Sequence, residues 1–253
     1  MVIHDLFTGA NRFMGRAVWR GKAPTTSPEF LESGIEQKRM SALHWDTITE
    51  DMRLILDEFF NSRIGDKFYL AGGTALSLQL GHRLSIDLDF FSPTEDIPSI
   101  RASLEESLSA LGSDLADSSW GNLVYIAKNV RLGFYGYGYP MVSPMVVEDI
   151  LRLASVEDIA LMKMDALLSR ANRKDFYDLY FISQGMPLRQ VLAKAPQKYP
   201  SIRDFEVQVV KRLVYFESAE YDPESSLLKP VSWEVVKSYF IEQAKEIEQS
   251  WLK

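Results

Sequence analysis

The chain contains no cysteine and only three histidines, His4, His44 and His82. Without thiols there is no disulfide framework, no thiolate nucleophile and no Cys-ligated zinc or iron–sulfur site. Three scattered histidines also make a multi-histidine metal centre improbable. No stretch approaches the roughly 18 consecutive apolar residues of a membrane span, and the N-terminal MVIHDLFTGANRFMGRAVWRGK is too interrupted by charge to serve as a secretory signal. A cytoplasmic protein is the simplest expectation. Positive charge is also in deficit: 28 Lys+Arg stand against 35 Asp+Glu, a net charge of −7 over 253 residues. That balance argues against a bulk electrostatic nucleic-acid binder, while leaving room for a local basic groove.

What is present suits a core of ordinary size, since 46% of the residues are hydrophobic and 25% charged. Residues 1–39 stand apart, with a turn-prone GKAPTTSPEF and no sustained period. They read as a weakly structured extension, consistent with an upstream start codon ahead of a natural start at Met40. From there the spacing predicts a helix containing Met52, Ile55, Leu56 and Phe59, with Thr47 and Glu50 as its capping box. A short strand at 67–71, a glycine turn, a helix ending at Gly81 and an alternating strand at 85–91 follow. Next come an amphipathic helix at 97–111 and a hairpin turning at Lys128-Asn129. After Pro140 and Pro144 the pattern predicts helices only, the first capped by Ser155 with Asp158 and running to about Arg170. The remaining helices are expected near 174, 187–195, 201–217 and 231–252. No repeat or low-complexity tract is visible. The expected fold is α+β, with an α/β core at 40–145 and a helical C-terminal lobe at 146–253.

The chemistry concentrates in GGTALSLQLGHRLSIDLDFF, residues 72–91. On a strand, alternation puts Ile86, Leu88 and Phe90 on one face and Asp87 and Asp89 on the other. Two carboxylates about 6.6 Å apart along a strand can share one hard divalent cation, and Mg²⁺ in particular needs few protein carboxylates when phosphates and water complete its shell. Gly72 and Gly73 let backbone approach a ligand, and a helix starting at Thr74 offers free N–H groups to phosphate. A D-x-D alone is common and says little; the glycine turn and helix start beside it make the combination specific for a metal–triphosphate. Arg83 is placed to contact phosphate or pair with Asp87, and Ser85 to hydrogen-bond a γ-phosphate. His82 is equally well read as a satisfied loop histidine. The aromatic run Phe134, Tyr135, Tyr137 and Tyr139 could stack bases, although packing of an ordinary strand is the commoner use.

Gly-Gly-Thr-Ala-Leu followed by Gly-His-Arg-x-Ser-x-Asp-x-Asp-Phe-Phe resembles the first motif of the AbiEii/AbiGii abortive-infection toxins. These are related to the MenT-type toxins within the DNA polymerase β-like nucleotidyltransferase superfamily. SVEDIALMKMDALLSRANRKDFYDLYFI, residues 155–182, resembles the family's second signature. The two blocks span about 48 residues, and the pattern of elements agrees over roughly 44–200. The resemblance implies a nucleotidyltransferase core followed by a helical lobe that completes the active site. It implies an NTP substrate, Mg²⁺ or Mn²⁺ as cofactor, release of pyrophosphate, an RNA acceptor such as a tRNA 3′ end or a protein acceptor, a cognate antitoxin, and a role in phage defence. It makes Lys163 the nucleotide-contacting lysine and Asp175 the acid that completes the site with Asp87 and Asp89.

Read physically, the second block puts Lys163, Arg170 and Lys174 close to one angular position if the helix is continuous. Six basic against three acidic residues in 163–194 make a local positive patch in an acidic chain. Helical charge runs are more often solvated faces, so the resemblance is what favours a site. Asp175 also fits a helix cap, and Asp178 fits a partner for Arg173 or a tyrosine hydroxyl. The pattern departs from polymerase β-like enzymes in one respect: the later strand VRLGFYGYGY carries no third carboxylate. Two alternatives stay open, a nucleotidyltransferase acting on a small molecule such as an antibiotic, and a catalytically silent binding module of the same fold.

Overall fold

The structure, a computed structural model, describes residues 43–119 and 121–252. The expected extension at 1–39 lies outside the described residues. Helix α1 (Glu50–Phe60) is capped by Thr49, whose Oγ1 accepts the Met52 N–H at 3.2 Å. Thr47 is buried and donates to the His44 carbonyl instead. The cap is therefore two residues later than the Thr47–Glu50 spacing suggested. Met52, Ile55, Leu56 and Phe59 are buried as expected.

Strand β1 (Tyr69–Ala71) runs directly into α2 (Gly72–Leu80), which Gly81 ends in the left-handed region at φ 59°. Strand β2 (Asp87–Ser92) follows, then α3 (Arg101–Leu108), β3 (Asp114–Asp117), β4 (Leu123–Ala127) and β5 (Val130–Gly136). Lys128 and Asn129 turn the β4–β5 hairpin with φ of 49° and 62°, the positive-φ pair that matches strand twist. The chain then forms β6 (Val146–Glu148) and β7 (Leu151–Leu153) before any helix. This corrects the purely helical expectation after Pro144; three-residue strands are too short to show a period. Together the strands make one mixed sheet in the order β3-β4-β5-β2-β1-β7-β6, spanning both sides of residue 145. Strand β2 is parallel to β5 and antiparallel to β1, while β1 is parallel to β7.

The alternation of β2 sets what each face of the sheet meets. Leu88 and Phe90 are fully buried, and Phe90 stacks on Phe134 (5.0 Å between centroids) beneath Phe59 of α1. Ile86 is 74% exposed, because the strand begins only at Asp87. Asp87 and Asp89 lie on the opposite face, in register with Arg131 and Gly133 of β5.

The remainder is helical: α4 (Val156–Ser169), α5 (Arg173–Ser183), α6 (Leu188–Leu192), α7 (Ala195–Lys198), α8 (Phe205–Leu213), α9 (Glu217–Glu220) and α10 (Trp233–Trp251). Ser155 caps α4, accepting the Asp158 N–H at 3.0 Å. A break at Ala171, φ 47°, separates α4 from α5 close to the expected end near Arg170 and new start near 174, so the shared angular position that a continuous helix would give Lys163, Arg170 and Lys174 does not apply. Phe176 anchors α5 in an aromatic cluster with Phe216, Trp233 and Phe240. Helix α2 packs against α4 and α5, which brings the glycine turn and the second signature together. Among the described residues no helix is long and apolar enough to cross a membrane.

Candidate active site

The turn from β1 into α2 is built around two close approaches. Gly72 has φ 68°, and a Cβ there would stand 3.0 Å from Asp89 Oδ2. A Cβ on Gly73 would stand 2.1 Å from a guanidinium nitrogen of Arg83. Both glycines are needed for the acid strand and Arg83 to press against the helix start. No side chain caps the beginning of α2, which leaves its first-turn N–H groups to an anion. The Thr74 hydroxyl is engaged inside the protein, bonded to Ser85 Oγ at 2.7 Å and donating to the Asp87 carbonyl. Thr74 and Ser85 thus fasten α2 to the approach of β2, and Ser85 precedes the strand rather than sharing its face.

The Asp87 carboxylate has no hydrogen-bond or ion-pair partner among the described residues. Burial, and then Asp89 beside it, raise its pKa, against the pull of Lys174, Arg131 and Arg83. Asp89 has one cation within reach, Arg131, whose Nη1 donates at 3.3 Å. Arg131 also donates to the Tyr135 hydroxyl at 2.9 Å. Gly133 permits that arrangement, because a Cβ there would meet the Tyr135 hydroxyl at 2.3 Å. The strand beside β2 thus presents Arg131, Gly133 and Tyr135 and no third acid. Among the described residues no group of three or more His, Asp or Glu could hold a metal.

Behind this strand lies a second pair of carboxylates, Asp175 and Asp178 on α5, both fully buried. Lys163 of α4 bridges them, with Nζ 2.8 Å from Asp175 Oδ1 and 2.7 Å from Asp178 Oδ2. Arg170 holds the other side of Asp175 through Nε at 3.1 Å and Nη2 at 3.2 Å. Arg83 grips Asp178 with two bonds, 2.7 and 3.0 Å. His82 Nε2 lies 2.8 Å from the same carboxylate. Burial alone would raise both aspartate pKa values. For Asp175, Arg170 and Lys163 overcome it, and for Asp178, Arg83 and Lys163 do, so both are held well below the usual carboxylate range. Burial lowers the His82 pKa, so the ring is neutral and we assign its proton to Nε2, facing Asp178.

Several expectations are corrected by these contacts. Arg83 pairs with Asp178 rather than Asp87. Asp178 serves Lys163, Arg83 and His82 rather than Arg173 or a tyrosine. Asp175 is inside the first turn of α5, and its side chain makes ion pairs instead of capping; Asn172 is the N-cap residue. The positive patch is largely consumed internally. Arg173 donates to the Ala219 and Glu220 carbonyls, and Lys194 pairs with Glu157. His82 is only half satisfied: Nε2 bonds Asp178, while Nδ1 is buried without a hydrogen-bond partner among the described residues. Phe134 and Tyr137 are packed, Tyr137 bonding Tyr199 at 2.8 Å.

The residues named from sequence nonetheless gather in one place. Asp89 touches the Gly72 turn, Arg83 touches Gly73, and Arg83 leads through Asp178 and Lys163 to Asp175. Arg131 was not named from the sequence, Tyr135 only within the aromatic run, and Lys174 only as part of the positive patch. Arg131 and Tyr135 could have been found by extending period-2 alternation from the hairpin turn, once β5 was placed beside β2.

The sequence matches the family described as nucleotidyl transferase AbiEii toxin of type IV toxin–antitoxin systems over residues 53–120 and 139–246. An uncharacterized protein of Aquifex aeolicus (strain VF5) is 34% identical over 209 residues, covering 79% of this chain and 97% of that protein. A solved H. pylori structure assigned to the nucleotidyltransferases is 22% identical with a TM-score of 0.49, covering 79% of this chain and 92% of its own. MenT4, a nucleotidyltransferase toxin of Mycobacterium tuberculosis H37Rv, is 16% identical with a TM-score of 0.48, covering 77% and 82%. Family membership brings with it a nucleotide substrate and an antitoxin partner. The mixed sheet with its glycine turn, acid strand and Lys-bearing helix is thus that of a nucleotidyltransferase, and the chain belongs to the AbiEii toxin family of type IV toxin–antitoxin systems.

Proposed function

We propose that the protein transfers a nucleoside monophosphate from an NTP to an acceptor hydroxyl at the Asp87–Asp89 strand. The observation that carries this is the state of that acid pair. Two partly exposed carboxylates share one face of β2, the Asp87 carboxylate without an ion pair and Asp89 with one long ion pair and the Tyr135 hydroxyl, directly against an uncapped glycine turn. Like charges left this close and uncompensated suit a hard divalent cation, so Asp87 and Asp89 are the residues that would hold Mg²⁺ or Mn²⁺. When bound, such an ion neutralises triphosphate charge and acidifies an attacking hydroxyl.

The chain's own groups supply the rest. The first turn of α2, through Gly72, Gly73 and Thr74, offers backbone N–H groups to phosphate oxygens. Arg83, locked by Asp178 beside Gly73, adds fixed positive charge at the same turn. Lys163 and Asp175 hold the α4 side of the site in place. The acceptor oxygen attacks the α-phosphorus, the bond from that phosphorus to the bridging oxygen breaks, pyrophosphate leaves, and the hydroxyl proton passes to water.

Of the two acceptors the family resemblance implies, an RNA end and a protein side chain, we favour the RNA end. The test is to incubate each of four α-labelled NTPs with Mg²⁺ and, separately, total RNA, total protein and aminoglycosides. Label moving to RNA in wild type and lost in Asp87→Asn supports the proposal. Label moving only to a drug would establish the small-molecule alternative. No transfer to any acceptor, with Asp87→Asn indistinguishable from wild type, would leave a binding module.

A further inference from the structure

Five cations surround the two acid pairs: Arg83, Arg131, Lys163, Arg170 and Lys174. Four of them are committed. Arg83 is bidentate on Asp178, Lys163 bridges Asp175 and Asp178, Arg170 is bidentate on Asp175, and Arg131 holds Asp89 and Tyr135. Lys174 is different. Its ammonium makes no hydrogen bond or ion pair among the described residues, although it is only partly exposed. It sits in the first turn of α5 with Lys163 and Arg170 as neighbouring like charges, and Asp175 and Asp87 within electrostatic range. A half-buried ammonium pressed by two cations and matched by no carboxylate is an unfavourable arrangement unless an anion arrives.

Lys163, the lysine that the resemblance makes nucleotide-contacting, has the opposite character. It is 4% exposed and already shared between two carboxylates at 2.7 and 2.8 Å. Reaching a ligand would require abandoning both, leaving two buried charges short of a partner. We propose that Lys174 is the lysine that contacts the triphosphate of the bound NTP, and that Lys163 is a positioning residue which neutralises Asp175 and Asp178. This rests on the nucleotidyl-transfer reading above. Lys174 belongs to the first turn of α5, which packs against α2, and lies within electrostatic range of Asp87, so a triphosphate held between the α2 turn and the acid strand comes near the free ammonium.

The test measures binding rather than transfer, using the full chain, Mg²⁺ and non-hydrolysable analogues of all four NTPs, with inorganic tripolyphosphate and a short RNA oligonucleotide as separate probes. Lys174→Ala is expected to weaken analogue and tripolyphosphate binding by about 10- to 100-fold, the size of a charge-assisted hydrogen bond. It should melt at or above the wild-type temperature, because no carboxylate loses a partner. Lys174→Arg should recover most of the affinity. Lys163→Met should lower the melting temperature markedly, and the fraction that stays folded should keep more analogue affinity than Lys174→Ala. The assignment is overturned if Lys174→Ala binds the analogues like wild type, if it loses only RNA binding, or if it unfolds. Wild type binding none of the analogues or tripolyphosphate would instead remove the nucleotidyl-transfer reading itself.

Discussion

The molecule carries two aspartate pairs with nearly the same local spacing and opposite states. On β2, Asp87 and Asp89 stand two residues apart, partly exposed, with one long ion pair to Arg131 and the Tyr135 hydroxyl, both at Asp89. On α5, Asp175 and Asp178 stand three apart, fully buried, and are met by Lys163, Arg170, Arg83 and His82. Burying a carboxylate is tolerable only when cations and donors replace its water, and the α5 pair meets that condition within the protein. The β2 pair does not. Under the proposed function, its unmet charge is where a cation would bind, and the satisfied pair would hold the frame beside it. Because Arg83 binds Asp178 and also lies against Gly73, the frame and the open pair are mechanically joined.

The largest expected effect breaks the comparison at its open end. Asp87→Asn or Asp89→Asn should reduce nucleotidyl transfer by at least about 100-fold. Asp87→Asn should leave the melting temperature unchanged or raised, since no cation depends on Asp87. Transfer and melting measured on one preparation decide this, and a large fall in melting temperature would make the β2 pair structural too.

Next in size is Asp178→Asn, which strands Arg83 and Lys163 in a buried site. Urea unfolding should show a loss of roughly 3–5 kcal/mol. The pH profile follows in sign. Asp175 and Asp178 have folded pKa values below their unfolded ones, so their stabilisation is complete above the ordinary carboxylate range and is lost as pH falls through the folded values. Asp178→Asn should therefore flatten the acid limb of stability against pH.

A smaller effect is expected at Asp165 of α4, which tests whether lack of a strong partner alone makes a site. Burial raises its pKa to about 6, with Lys198 pulling the other way. A raised carboxyl pKa means the folded state holds the proton longer, so stability falls as pH rises from about 4 to about 6. Asp165→Asn should stabilise the protein at pH 8 by at most about 3 kcal/mol, with the gain vanishing near pH 4. Unchanged transfer activity in this variant would show that the β2 pair's role comes from its place beside the glycine turn. The smallest effect belongs to Arg170→Ala. Its side chain is 34% exposed and Lys163 still serves Asp175, so a loss of about 1–2 kcal/mol in urea unfolding is expected.

Local patterns carried much of the fold. The α1 apolar stripe, the Gly81 stop, the Ser155 cap and the Lys128-Asn129 turn are short-range signals, and each appears where its residues place it. Local spacing favours Thr47, with Glu50 three residues on, and the burial of Thr47 against the His44 carbonyl is what passes the cap to Thr49. Strands β3, β6 and β7 escaped because pairing with neighbours, not their own three or four residues, makes them strands. The site was half legible for the same reason. Glycine turn and acid strand lie within twenty residues of each other, whereas the pairing of Arg83 and His82 with Asp178 crosses from one block to the other.

The sequence by itself determined that Asp87 and Asp89 share a face, that a glycine turn precedes them, and that no thiol chemistry is available, since these follow from alternation, backbone freedom and composition. Only the tertiary structure decided which charges are spent and which are free. Lys163 and Lys174 are both lysines of one signature block, and Asp87 and Asp178 both aspartates of short acidic motifs. What separates them is depth and the distance to an opposite charge, brought for Lys163 across the break between two helices and for Asp178 from 95 residues away in Arg83.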